Sequence, residues 1–289
     1  MRGDAASMTL LRAKSAADAL RLRARNPAAL PLAGGTDLMV HWNAGLLNGR
    51  TVLDISAVKD WRRIKVGKDG AEVGALATHA ALLRQPAVVA GWPLLTAACG
   101  LVGGPQIQAR GTLGGNIANA SPAGDTFPPL AVYEARVRVA SSAGSRELAF
   151  SEVFTGVKKT SLKPDELIES IYLPRPAKPA RQLFRKVGTR AAQAISKTMA
   201  AGLLWLDKKG AVGELRFALG SMAPTVRRLR KAEQAVRGRK LDRETIDLAV
   251  KLLASDVSPI DDIRSTRLYR LRAAENIFRG FLEGRLEGV

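Results

Sequence analysis

Two glycine-rich segments hold the residues of this chain best suited to binding chemistry. The first reads LAGGTDLMV, Leu32 to Val40, and the second GTLGGNIANASPAGD, Gly111 to Asp125. Each sets a Gly-Gly pair beside small polar side chains and then runs into an apolar stretch. Glycine reaches positive φ without steric cost and lets a ligand come close to the main chain. Successive N–H groups pointing one way form a concave anion site. Thr36, Asp37, Thr112, Asn116 and Asp125 add hydroxyl, amide and carboxylate partners. Together the two segments predict a clamp on a phosphate-bearing cofactor. Neither is the G-x-G-x-x-G of a dinucleotide fold, and neither carries the Lys-Ser/Thr of a P-loop. Taken singly, each reads more readily as a structural turn.

Other chemistry is sparse. The chain has one cysteine, Cys99, and two histidines, His41 and His79. An internal disulfide is impossible. An iron–sulfur cluster held by this chain alone is excluded, because such clusters take four cysteine ligands. No metal site is expected. No Ser-His-Asp arrangement or close carboxylate pair is visible, so no catalytic side chain is assigned. Cys99 reads as a small buried hydrophobe, and both histidines read as structural.

The elements around the glycine segments follow from local signals. Ser15 caps a helix that Asn26-Pro27 ends. Leu30 to Leu32 is a strand feeding the first segment, and MVHWNAG after it is helical. TVLDIS, 51–56, is a strand, and Trp61 to Leu76 is a hairpin around a Lys-Asp-Gly turn. Thr78 caps a helix that Pro86 interrupts, and Pro93 begins another. FPPLAVYEARVRVAS carries a helix into a strand, and Leu167 to Leu173 is a further strand. PRPAKPA, 174–180, is the linker. Beyond it two strands flank a Lys-Lys-Gly turn. From 225 the chain is mostly helical, with Asp242 capping a helix that buries Ile246, Leu248, Ala249 and Leu252. The outline is α+β: a cofactor domain over 1–175, in parts of about 1–57 and 58–175, then a mixed C-terminal domain over 181–289.

The 289 residues are 46% hydrophobic and 25% charged, which suits two such domains. No apolar run reaches the roughly 18–20 residues of a membrane span. The basic start lacks an apolar h-region, so a signal peptide is not expected, and residues 1–7 read as a disordered leader. A single cysteine fits a cytoplasmic location. Net charge is +19, from 45 Lys+Arg against 26 Asp+Glu. It is densest over Arg227–Lys240 and Asp262–Arg285, interleaved with apolar residues at helical spacing. Solvated helix faces are the first reading, and a face for acidic partners is the second. Nucleic-acid binding, the alternative the charge raises, needs interleaved aromatics or a known motif. Aromatics are 5% and no such motif is present, so no nucleic-acid partner is expected.

The second glycine segment is distinctive. With AGGTDL at 33–38, DIS at 54–56, GALATHAALL at 74–83 and FRKVGTRAAQAIS at 184–196, it resembles the FAD-binding medium subunit of the molybdenum hydroxylases. That family includes xanthine dehydrogenase and aerobic carbon monoxide dehydrogenase, and the resemblance runs along almost the whole chain. It implies a vanillyl-alcohol-oxidase-type (PCMH-like) FAD-binding domain followed by a smaller α+β C-terminal domain. It places Leu32, Ala33, Gly34, Gly35, Thr36, Asp37 and Leu38 along the pyrophosphate and ribityl chain of FAD. Thr112, Leu113, Gly114, Gly115 and Asn116 cradle the pyrophosphate from the other side. Asp125 accepts from the ribityl region. Val102 stands beside the adenine, where some members have an aromatic, and Gln106 and Ile107 line the pocket. Ile168 touches the isoalloxazine. Arg185 stands where some members have a lysine near the flavin.

The resemblance also implies an oxidoreductase subunit that relays electrons. Its partners would be a small subunit with 2Fe-2S clusters and a large molybdopterin subunit, as a heterotrimer dimerised to (αβγ)2. The acceptor would be NAD, a quinone or oxygen. A cysteine-rich insertion for a further cluster is missing, which argues against a benzoyl-CoA-reductase-type role. A stand-alone flavin reductase is the other alternative. Four N–H donors on a diphosphate would contribute roughly 6–12 kcal/mol, against about 4–15 kcal/mol lost on association. Apolar walls such as Leu38, Val102, Ile107, Ile117 and Ile168 must therefore supply the surplus. A carboxylate beside a diphosphate is repulsive, so Asp37 is expected to accept from an N–H or a ribityl hydroxyl, or to cap the helix after it.

Overall fold

The computed structural model describes residues 3–288. The chain opens with β1 (Thr9–Arg12), α1 (Ala16–Arg25), β2 (Leu30–Leu32), α2 (Leu38–Asn43) and β3 (Thr51–Asp54). The three strands form a parallel sheet in the order β1-β3-β2. Parallel neighbours need crossover connections, which α1 and α2 provide. Ser15 Oγ accepts from Asp18 N and starts α1 as expected. The leader is more ordered than its composition implied. Asp4 caps a 3-10 turn at Ala5–Ser7, and its N–H donates to Asn48 Oδ1 at 2.8 Å. Residues 1 and 2 lie outside the described residues.

The next stretch carries β4 (Ile64–Val66), β5 (Gly70–Gly74) and six short helices. These are α3 (His79–Leu83), α4 (Pro86–Gly91), α5 (Pro93–Gly100), α6 (Pro105–Arg110), α7 (Leu113–Asn119) and α8 (Phe127–Val132). Then come β6 (Arg136–Ser141), β7 (Gly144–Ala149), β8 (Phe154–Gly156), β9 (Lys159–Thr160) and β10 (Leu167–Pro174). An antiparallel sheet runs β4-β5-β10-β6-β7, and β8 and β9 form a separate hairpin. Pro86, Pro93 and Pro105 each take the first position of a helix, where a missing N–H costs nothing. Pro86 therefore starts α4 rather than merely interrupting α3. Trp92, Leu94, Leu95, Leu113, Ile117, Phe127 and Leu130 pack this helical layer onto Val73, Val137, Val139 and Ile171 of the sheet.

The last part has β11 (Arg181–Val187), β12 (Thr198–Leu206), β13 (Val212–Gly220), β14 (Arg227–Arg228), α9 (Arg230–Val236), α10 (Arg243–Leu253) and α11 (Arg267–Leu282). The strands form an antiparallel sheet in sequential order. One face, with Leu204, Phe217 and Leu219, packs on Phe278 and Phe281 of α11 and on α9 and α10. The other face, with Phe184, Ala201, Leu203 and Ala218, completes the core of the preceding layer. β12 is buried on both faces, which is why TMAAGLLWL reads as a continuous apolar run. The buried stripe of α10 is Ile246, Ala249, Val250 and Leu253, with Leu248 and Leu252 only half-buried. The stripe is rotated relative to the sequence expectation because α9 and α11 cover it from two sides. The linker is strapped down: Trp92 Nε1 donates to Pro174 O at 2.9 Å, and Trp205 Nε1 donates to Ala177 O at 3.0 Å. The fold is α+β, as expected.

An ion-pair network ties the last sheet to α8. Arg228 donates to both carboxylate oxygens of Glu233 at 2.6 and 2.8 Å, and also to Ala131 O. Arg216 donates to Val132 O and pairs with Glu134. Carbonyls at the end of α8 are thereby satisfied by cations from the other unit.

Candidate cofactor site

β2 delivers the first glycine segment to the edge of the parallel sheet. Among the described residues, no protein acceptor takes the N–H of Ala33, Gly34, Gly35, Thr36, Asp37 or Leu38. Six successive amides are thus left unclaimed by the protein. Gly35 has φ +78°, which bends the run and favours glycine. Gly34 is required for a different reason. A Cβ added there would stand 1.9 Å from the Arg110 carbonyl oxygen. The main chains of the two segments therefore meet at Gly34 and Arg110–Gly111, with Thr36 Oγ1 close to Gly111.

The second segment is built differently from its expected role. Leu113 N donates to Ala77 O and Gly114 N to Ala75 O, both at 2.9 Å. Gly115 N donates to Thr112 Oγ1 at 3.0 Å, and Asn116 N to Thr112 O at 2.9 Å. These four amides are already engaged within the chain. The unclaimed amides lie on the first segment. Gly114 serves packing: a Cβ there would stand 2.6 Å from Ala75 Cβ and 2.7 Å from Ala75 O. What the second segment offers a ligand is side chains. Thr112 keeps its hydroxyl hydrogen, and Asn116 keeps its amide NH2 while its Oδ1 accepts from Thr126 Oγ1 at 2.6 Å.

Asp125 is held by Lys186, whose Nζ lies 2.7 Å from Oδ2 and also donates to Leu101 O. The other oxygen, Oδ1, is buried without a partner among the described residues. Lys186 arrives from β11, so both units of the chain build this pair. Arg185 is exposed on the opposite face of β11, so the cation beside Asp125 is Lys186 and not Arg185. Strand alternation carried the signal: Phe184 and Lys186 share one face, Leu183 and Arg185 the other.

Burial pushes the Asp125 carboxyl up to about 6, while the Lys186 ammonium pulls against it. An aspartate raised in this way holds a proton that the unfolded chain has released. Its contribution to stability therefore falls as pH rises from about 4 to about 6. Lys186→Met removes the opposing cation and moves the upper end of that window higher. The variant is expected to lose more stability at about pH 8 than at about pH 5, by about 1–2 kcal/mol on the scale of about 1.4 kcal/mol per pKa unit. Urea unfolding at both pH values checks this, and equal losses would contradict it.

Asp37 stands at the cap position of α2, but its side chain makes no cap bond. It accepts from Asn119 Nδ2 at 3.2 Å and lies 3.9 Å from Lys158 Nζ, which also donates to Asn119 Oδ1. The tip between β8 and β9 thus reaches across α7 to the first segment. Ile107 O accepts from Gly111 N at 2.6 Å, which joins α6 to the second segment. Val102 is half-buried, and Gln106 and Ile107 are exposed. Leu32 and Leu38, within the first segment, are half-buried. Ile168 is buried in the main core beside a bulge of β10.

Sequence reasoning missed Arg62, Thr78 and Arg110, which with Ala33, Gly34 and Thr112 line a cleft of about 120 Å³ between the segments. The Thr-His and Arg-Gly signals lay in plain sight, but nothing local showed that 62 and 110 converge. His79 Nδ1 is 3.4 Å from Cys99 Sγ. Burial lowers the imidazole to about 4 and raises the thiol, so both stay neutral and structural. Among the described residues no cluster of His, Cys, Asp or Glu could hold a metal ion, and no helix is long and apolar enough to cross a membrane.

Two family models match the chain. The FAD binding domain in molybdopterin dehydrogenase matches residues 6–176, and the CO dehydrogenase flavoprotein C-terminal domain matches residues 183–284. A putative xanthine dehydrogenase FAD-binding subunit of Escherichia coli (strain K12) is 32% identical, over 92% of this chain and 91% of its own length. A carbon monoxide dehydrogenase medium chain of Afipia carboxidovorans is 29% identical over 94% of both chains. The solved structure of carbon monoxide dehydrogenase from Hydrogenophaga pseudoflava superposes with a TM-score of 0.91, at 26% identity and 98% coverage of both chains.

Proposed function

The chain belongs to the family of FAD-binding medium subunits of the molybdenum hydroxylases, and from that premise we propose that it is the electron-transfer subunit of such a complex. The observation that carries the reading is the match between free groups and cofactor. Six unclaimed amides from Ala33 to Leu38 suit a diphosphate, and the orphan Oδ1 of buried Asp125 suits a ribityl hydroxyl. Leu32 to Leu38 would run along the diphosphate and ribityl chain. Thr112 and Asn116 would reach it with side chains, while Leu113, Gly114 and Gly115 fix their position. Val102, Gln106 and Ile107 would line the adenine end, and Ile168 and Lys186 the isoalloxazine end. FAD, when bound, supplies the redox chemistry, and the protein supplies its placement and electrostatics.

The partners in this reading are a small 2Fe-2S subunit and a large molybdopterin subunit, assembled as (αβγ)2 in the cytoplasm. An acceptor such as NAD or a quinone would take the electrons. Residues 1–175 would form the cofactor domain and 181–289 the C-terminal domain. Co-expression with adjacent genes for the two partner types should yield one complex with a flavin spectrum, and the isolated chain should take up FAD. A chain that binds no FAD, alone or in the complex, would overturn the reading.

A further inference from the structure

We infer that Arg62 and Arg110 are the counter-charges of the cofactor's diphosphate, held in the cleft that the two glycine segments enclose. The inference rests on the FAD reading. None of the residues lining the cleft is acidic. Its lining offers several donors. The Ala33 and Gly34 amides are free. Thr78 Oγ1 and Thr112 Oγ1 each accept one backbone N–H, from Ala81 and Gly115, which leaves both hydroxyl hydrogens for a ligand. Neither Arg62 nor Arg110 is in an ion pair among the described residues. A cleft with two cations, two amides, two hydroxyls and no carboxylate selects an anion.

Both arginines stand on ordered elements. Arg62 ends the 3-10 turn Lys59–Arg62, anchored by the buried side chain of Trp61. Trp61 O accepts from Leu76 N at 2.7 Å, which locks the turn to the exit of β5. Arg62 itself donates to Ser56 O at 2.5 Å, so its guanidinium is already turned toward the cleft wall. Arg110 closes α6, and its carbonyl is the atom against which Gly34 rests. Both arginine residues therefore line the cleft beside the point where the main chains of the segments meet. A diphosphate carries about two negative charges, one for each guanidinium, and arginine's fork suits phosphate oxygens.

The test uses the full chain stripped of cofactor, with FAD, ADP and riboflavin as probes. Arg62→Met and Arg110→Met are each expected to weaken FAD and ADP binding about tenfold, which is about 1.4 kcal/mol. Riboflavin, which has no phosphate, should bind all variants alike. Arg62→Lys should keep most of the affinity. The dependence of log Kd for FAD on log salt should flatten in the methionine variants, because one fewer cation is screened. A purely structural role would lower thermal stability without changing that slope. If the wild-type chain binds FAD and both methionine variants, still folded, bind it equally well, the inference fails and the FAD reading stands. If the wild-type chain binds no FAD, both fail together.

Discussion

Gly34→Ala is expected to abolish tight FAD binding, weakening it by a hundredfold or more, while the rest of the fold still assembles. The new methyl would stand 1.9 Å from the Arg110 carbonyl oxygen and 2.6 Å from its carbon. Both are main-chain atoms, so no rotamer change relieves the clash, and overpacking of this kind costs about 1–3 kcal/mol. The segments must part, and the free amides of Ala33 to Leu38 move with them. Loss of two charge-assisted bonds at about 1.5–3 kcal/mol each gives the hundredfold figure. Gly35→Ala is the informative contrast. Its Cβ would meet only ordinary contacts at 3.4 Å, and its cost is the left-handed backbone, about 1–2 kcal/mol. Fluorescence titration with FAD separates the two. Wild-type affinity in Gly34→Ala would show that the contact between the segments does not shape the site.

The second large effect concerns stability. Arg228→Met should destabilise the chain by about 3–5 kcal/mol, because it breaks a buried pair and leaves Glu233 only the exposed Arg230, 3.7 Å away. Both side chains are only 8% exposed, and Glu233 also accepts from Phe217 N at 2.9 Å. A loss of that size is a large part of the roughly 5–15 kcal/mol that holds a typical domain. The double variant Arg228→Met with Glu233→Gln should recover part of it, since glutamine is neutral and can still accept from Phe217. Denaturant unfolding of the three proteins measures this. A single-variant loss below about 1 kcal/mol would place the pair with ordinary surface bridges.

Local signals carried much of the architecture. Ser15, Thr78 and Asp242 cap the helices they were expected to cap, and the Lys-Asp-Gly and Lys-Lys-Gly turns join antiparallel strands. These features depend on a few neighbouring residues, so the sequence displays them. The division of labour between the glycine segments was not legible. Whether Gly114 N is free depends on Ala75, about forty residues earlier, which takes the bond first. That Lys186 rather than Arg185 shares a face of β11 with Phe184 was legible in principle, from strand alternation. Arg62 and Arg110 stand in elements far apart in the chain, and only the fold brings them to one cleft. The same holds for the reach of Lys158 to Asp37. Family resemblance gives positions along a cofactor, but not which atom of each residue remains unclaimed.

The sheet β11-β14 spends one of its faces on the core of the preceding layer, through Phe184, Ala201, Leu203 and Ala218. The proline-rich passage between the two units is fastened by Trp92 and Trp205. A recombination event that cut the gene at that passage would leave two apolar wounds, one on each fragment. Two stretches that look like separable modules on paper are therefore bound to be inherited as one piece. A lineage can exchange either half only by replacing the seam as well.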